Sequence, residues 1–212
     1  MDILQEISEN LQKGQAPKVG ALVKQALEDK IDVKIILGSL IDGMGVVGRR
    51  FRDGEIYVPE VLIAARAMYA GLDLIRPILT QTGATYVGKV VIGTVKGDLH
   101  DIGKNLVKMM MEGAGFEVID LGRDVSPEKF VEAVRTNKPD IVGMSALITT
   151  TMLNMKDTIE ALKNANLRDK VVVMIGGAPV TERFAAEIGA DSYAKDADTA
   201  VAKAKEIVLN HK

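Results

Sequence analysis

Over the first eighty positions apolar residues recur every three or four residues. Ile3, Ile7 and Leu11 share one helical face, and after Gly14 and Pro17 a second stripe holds Val19, Leu22, Val23 and Leu27. Asp32 is placed to cap a third helix carrying Ile35, Ile36, Leu40, Ile41 and Val46; Pro59 can begin a fourth through Leu62, Ala65, Met68, Leu72 and Ile75. Four helices joined by short turns predict a helical bundle over residues 1–87. From Gly88 the period changes to short apolar runs, KVVIGTV, FEVIDLG, DIVGMSAL, KVVVMIGG and a weaker DSYAKDA, separated by helical stretches. Val- and Ile-rich runs without polar alternation suit strands covered on both faces. Residues 88–212 are therefore expected to form a flavodoxin-like (Rossmann-like) doubly wound α/β domain with a five-stranded parallel sheet. The expected junction is Gln81–Gly88, QTGATYVG.

Composition narrows the function classes. With 212 residues, 47% hydrophobic, the chain can bury an ample core. A net charge of −2 with interspersed signs offers no basic face for nucleic acid or an anionic membrane. Without cysteine, disulfides, thiolate metal sites and thiol nucleophiles are all excluded, and a reducing cytoplasm is the expected location. The first segment, MDILQEISENLQKG, is acidic and amphipathic without the basic and apolar regions of a secretory leader, and no run reaches about 18 apolar residues, so a soluble, unexported chain is expected. Aromatics at 4% and no tryptophan argue against stacking platforms.

Candidate chemistry concentrates in GDLHDIG, Gly97–Gly103, which follows the first strand and so lies on the rim where open parallel sheets bind ligands. His100 there can be a capping residue, an acid or base, or a metal ligand. Asp98, two residues away, can accept the Nδ1 proton and leave Nε2 facing outward, as carboxylates do behind metal-ligating histidines. Gly97 and Gly103 would let a bulky planar ligand approach the backbone. With no cysteine, and with the second histidine, His211, next to the C-terminus, one histidine cannot close a tetrahedral metal site; further ligands would have to come from a cofactor. No serine triad, dinucleotide fingerprint or phosphate loop is present.

Two later loops complete a pattern. SALITTT, Ser145–Thr151, begins after 41 residues (104–144), and Gly176–Gly177 follows Leu147 after 28 (148–175). D-x-H-x-x-G, then S-x-L, then G-G at these intervals resembles the signature of cobalamin-binding domains that hold the cofactor base-off with histidine on cobalt. The resemblance implies that His100 is the lower axial cobalt ligand, with Asp98 and Thr151 forming its hydrogen-bonded relay. Leu99, Asp101, Ile102, Gly97 and Gly103 would border the corrin. Ser145 and Thr149 would hydrogen-bond the displaced nucleotide tail, with Leu147 beside them. Gly176 and Gly177 would leave its channel open, and the stretch Tyr193–Ala197 would border its end. FRDGEIYVPEVLIAARAM, Phe51–Met68, resembles the cap segment of methyl-carrying corrinoid proteins, which would set Phe51 and Val58 over the upper face of the cofactor.

The resemblance covers essentially the whole chain and implies a corrinoid methyl carrier of one-carbon metabolism. Such a carrier takes a methyl group on Co(I) from a substrate-specific corrinoid methyltransferase and presents methyl-Co(III), as methylcobalamin or a related corrinoid, to a second methyltransferase. The final acceptor would be tetrahydrofolate or a thiol coenzyme, and a reductive activating protein would rescue Co(II). With no zinc site and no barrel, the chain has no complete active site of its own. Movement of the cap about residues 81–88 is expected as partners exchange. The alternatives are the cobalamin-binding subunit of an adenosylcobalamin mutase, which lacks such a cap, a cobalamin-dependent regulator, which adds a basic DNA-binding region absent here, and a cofactor-free flavodoxin-like module.

Overall fold

The structure, a computed structural model, describes residues 2–82 and 86–210. The expected junction runs through residues 83–85, which lie outside the described residues, as does His211. The chain divides into two compact units, Met1–Thr85 with Gly113–Gly115, and Tyr86–Glu112 with Phe116–Lys212. Among the described residues no helix is long and apolar enough to cross a membrane.

The first unit is helical: α1 (Ile3–Gln12), α2 (Ala16–Glu28), α3 (Val33–Arg52) and α4 (Val58–Thr82). Asp2 and Asp32 cap α1 and α3, their carboxylates accepting from Leu4 N and Lys34 N at 3.3 and 2.8 Å. Helix α1 packs on α3 and α2 on α4, around Ile7, Leu11, Val19, Val23, Ile36, Leu40, Met68 and Ile75. Two expected core positions turn outward: Ile35 and Leu62 are exposed, while their neighbours Ile36 and Val61 are fully buried. An apolar pair at adjacent positions fits either of two helical phases, and packing selects the phase that also buries Val33, Leu40 and Val47.

The second unit alternates β1 (Lys89–Thr94), α5 (Ile102–Gly113), β2 (Glu117–Asp120), α6 (Pro127–Asn137), β3 (Ile141–Ser145), α7 (Leu153–Asn164), β4 (Val172–Gly176), α8 (Glu182–Ile188), β5 (Ser192–Ala194) and α9 (Ala197–Asn210). All five expected strands are present, in one parallel sheet of order β2-β1-β3-β4-β5. Burial follows rank in the sheet: central β1 and β3 are almost wholly buried, whereas edge strand β2 is only half-buried. Because the chain leaves β1 toward β2 but enters β3 on the other side, the loops after β1 and β3 diverge. That switch point is where open α/β sheets form a crevice.

Candidate functional site

The loop after β1 carries His100, and a single carboxylate joins it to the loop after β3. Asp98 is fully buried. Its Oδ1 accepts from His100 N at 3.0 Å and lies 2.8 Å from His100 Nδ1. Its Oδ2 accepts from Leu147 N at 2.8 Å, Ile148 N at 3.3 Å and Thr151 Oγ1 at 2.7 Å. Burial alone would raise the pKa of Asp98. The bonds from the Thr151 hydroxyl, the Leu147 and His100 amides and the His100 ring outweigh it and hold the carboxyl well below the usual carboxylate range. An ionised carboxylate only accepts, so Nδ1 of His100 carries a proton, which in the neutral ring makes Nε2 the lone-pair atom. The His100 side chain remains 52% exposed. The result is an exposed, oriented imidazole donor backed by a buried anion.

Local conformation explains the residue types. Gly97 has φ +78°, the left-handed region that glycine enters without strain. A Cβ on Gly103 would meet no protein atom within 4 Å, so the first turn of α5 presents open backbone beside the imidazole. Around it Leu99, Ile102, Leu147 and Ile148 are exposed apolar side chains, Ile102 at 78%. Apolar surface clustered around a lone polar donor is the surface a large planar apolar ligand would cover. Asp101 is half-buried, its carbonyl accepting from Asn105 N at 2.8 Å. Among the described residues no three His, Asp or Glu side chains converge on a metal position.

The remaining expected residues are spread along the rim and across the two units. Thr94, Ser145, Gly176 and Ala194 are register partners in successive strands and form one row across the carboxyl edge of the sheet. That row leads from the His100 loop toward Ala197, buried at the start of α9. Thr149 is exposed in the loop beyond Ser145. A Cβ on Gly176 would come within 2.8 Å of Ala194 O, and one on Gly177, at φ +125°, would overlap Ala146 O. The chain's own backbone therefore already requires both glycines. Phe51 and Val58 belong to the helical unit, half-buried at the end of α3 and the start of α4.

Sequence reasoning missed four contributors. Thr94 Oγ1 donates to His100 O at 3.0 Å, and the signal was available as the one polar side chain in VVIGTV, residues 90–95. The Leu147 and Ile148 amides belong to the backbone and leave no mark in side-chain pattern. Asp124, whose Oδ1 accepts from Gly97 N at 2.7 Å, comes from a loop 27 residues away.

Residues 88–202 match the family model described as "B12 binding domain", and residues 3–76 match a second model of the same description. Dimethylamine corrinoid protein 2 of Methanosarcina acetivorans is 44% identical over 98% of this chain and 97% of its own. A chain in the crystal structure of the methanol:cobalamin methyltransferase complex MtaBC from Methanosarcina barkeri superposes with a TM-score of 0.89. It is 32% identical, covering 98% of this chain and 80% of that one. A cobalamin-binding protein from Desulfitobacterium hafniense gives 0.76 at 31% identity, covering 98% of both chains.

Proposed function

The chain belongs to the B12-binding corrinoid proteins, its cofactor is cobalamin or a related corrinoid, and on that premise we propose that it is the methyl carrier of a multi-component methyltransferase system. The observation that carries the reading is the outward Nε2 of His100, held by buried Asp98 at the switch point of the sheet. When bound, the corrinoid cobalt supplies the centre that accepts a methyl group and gives it up again.

The chain's own residues do the rest. His100 is the residue that would hold the cobalt, through Nε2. Asp98 fixes the tautomer and orientation of the ring and stabilises the imidazolium that forms if a proton is taken at Nε2. Thr151 holds the far oxygen of that carboxylate. Leu99, Ile102, Leu147 and Ile148 would exclude water from the corrin beside them, and Ser145 and Thr149 would bond its nucleotide tail. A donor-specific methyltransferase, a second methyltransferase and a reductive activating protein act on the carrier in turn.

The test is spectroscopic. Hydroxocobalamin added to the purified chain is expected to give the histidine-on, base-off visible spectrum, and His100→Ala to lose it; an unchanged spectrum in the variant would sink the axial-ligand role. Methyl loading by a dimethylamine or a methanol donor system, the substrates in the names of the two relatives, then identifies the partner. Loading by no donor system, in a protein that binds the corrinoid, would sink the carrier role.

A further inference from the structure

The histidine loop is held from outside itself, and at both ends, by the last residue of β2 and the short segment that follows. After Asp120 the chain stays beside the end of β1: Thr94 N donates to Gly122 O at 2.9 Å, Val125 N to Thr94 O at 3.0 Å, and Val95 bridges Val125 in parallel. From this rail two carboxylates reach the histidine loop. Asp124 Oδ1 accepts from Gly97 N, ahead of His100, while Asp124 N donates to Asp98 O at 3.1 Å. Asp120 Oδ1 accepts from Lys104 Nζ at 2.6 Å, behind His100.

Neither contact is an ordinary surface pair. Asp124 adopts φ +54°, a left-handed conformation that a side chain disfavours and that persists where surrounding structure imposes it. The Lys104 side chain is 1% exposed and sits in the first turn of α5, where the helix dipole opposes a cation. Desolvating such a pair costs about as much as its attraction returns, so its use lies in fixing geometry more than in stability. Lys104 also donates to Asn105 Oδ1 at 2.7 Å, and Asp120 also accepts from Gly122 N at 2.9 Å and from Lys108 at 3.3 Å. The lysine thus locks the start of α5 to the end of β2.

We propose that Asp120 and Asp124 form a two-point clamp, acting through Lys104 and Gly97, that positions the loop bearing His100 for axial ligation. The clamp rests on the reading of His100 as the cobalt ligand. These are positioning residues; none of their side chains reaches the imidazole itself.

The experiment compares Asp124→Gly, Asp124→Asn and Lys104→Met in the full chain. Glycine keeps the left-handed backbone and removes only the acceptor for Gly97 N–H, whereas asparagine tolerates the same φ and keeps a carbonyl acceptor. Methionine fills the lysine's space, and Asp120 keeps Lys108 and Gly122 N–H as partners. In the apo protein, hydrogen exchange of the amides between Gly97 and Lys104 is expected to quicken about tenfold in D124G and K104M, one lost bond of about 1.4 kcal/mol, and to return toward wild type in D124N. With hydroxocobalamin, D124G and K104M should bind several-fold more weakly and show a reduced histidine-on fraction, and D124N should restore both. Wild-type exchange and spectrum in D124G and K104M would overturn the clamp, and so would equal damage in D124N and D124G. If wild type itself shows no histidine-on spectrum, the carrier reading fails, while the exchange arm still decides whether the two aspartates hold the loop.

Discussion

The two ends of the sheet solve their polar accounting differently. At the amino end a cleft of about 690 Å³ is lined by Arg168, Asp191, Lys203 and Glu206 among others. There Arg168 donates to Asp191 Oδ1 at 2.7 Å and to Gly189 O at 2.8 Å, Asp191 Oδ2 accepts from Val173 N, and Lys203 donates to Tyr193 O. Cations and acceptors answer one another, and the cleft is a structural joint. At the carboxyl end a fully buried carboxylate is surrounded by hydrogen-bond donors and aims an exposed imidazole outward through a ring of exposed aliphatic side chains. Volume marks the first end, whereas unspent donor capacity marks the second, and the second is the one that needs a ligand.

The strongest way to break that contrast is Asp98→Ala. It orphans three loop amides and the His100 ring at once and leaves the Thr151 hydroxyl only Ile148 O as an acceptor, so apo stability should fall by about 3 kcal/mol and corrinoid affinity by about 10–100-fold. Chemical denaturation and visible titration measure the two; a variant that keeps wild-type affinity would show that the loops need no staple. Asp120→Asn ranks next and adds a pH signature. Burial acts to raise the Asp120 pKa, but the Lys104 bond, the Gly122 amide and the charges of Lys104 and Lys108 lower it below the ordinary value near 3.9. Its proton binds more tightly in the unfolded chain, so the stabilisation is complete above about pH 4 and lost as pH falls through the folded value. The melting-temperature gap between D120N and wild type should therefore be wide at pH 7 and close toward pH 3. A constant gap would remove ionised Asp120 from the account.

Much of this was legible in the residue pattern. The alternation of Val-rich runs with helical stretches predicted all five strands, because buried parallel strands cannot afford polar alternation. Spacing brought GDLHDIG and SALITTT to one rim, and the structure seats Thr151 on the same carboxylate as His100. Less legible was anything made by backbone or by a distant loop. Asp98 binds the Leu147 amide 49 residues away and Asp124 binds the Gly97 amide 27 residues away, and neither partner carries a side-chain signal. Ile35 and Leu62 went astray for a different reason, since adjacent apolar residues leave helical phase undecided until packing chooses it.

Smaller effects sharpen the contrast. Arg168→Met at the amino end removes three side-chain bonds, to the partly exposed Asp191 and to the carbonyls of Gly189 and Val171, and should cost about 1 kcal/mol of stability, a few degrees of melting temperature, with no change in corrinoid affinity. A loss of affinity there would make the amino-end cleft part of the site.

The finest distinction is at Thr151. Its Oγ1 lies 2.7 Å from Asp98 Oδ2 and 2.9 Å from Ile148 O, two acceptors for one hydroxyl proton. The ionised carboxylate forms the shorter, charge-assisted bond and takes that proton most of the time. Thr151→Val keeps the branched shape and removes the donor, which leaves Asp98 held by its remaining partners. About 1 kcal/mol of stability and a few-fold in corrinoid affinity should follow. Thr151→Ser keeps the hydroxyl, and its binding curve should lie on that of wild type. If valine and serine behaved alike in a visible titration, the hydroxyl would be filling space, and the relay would end at Asp98.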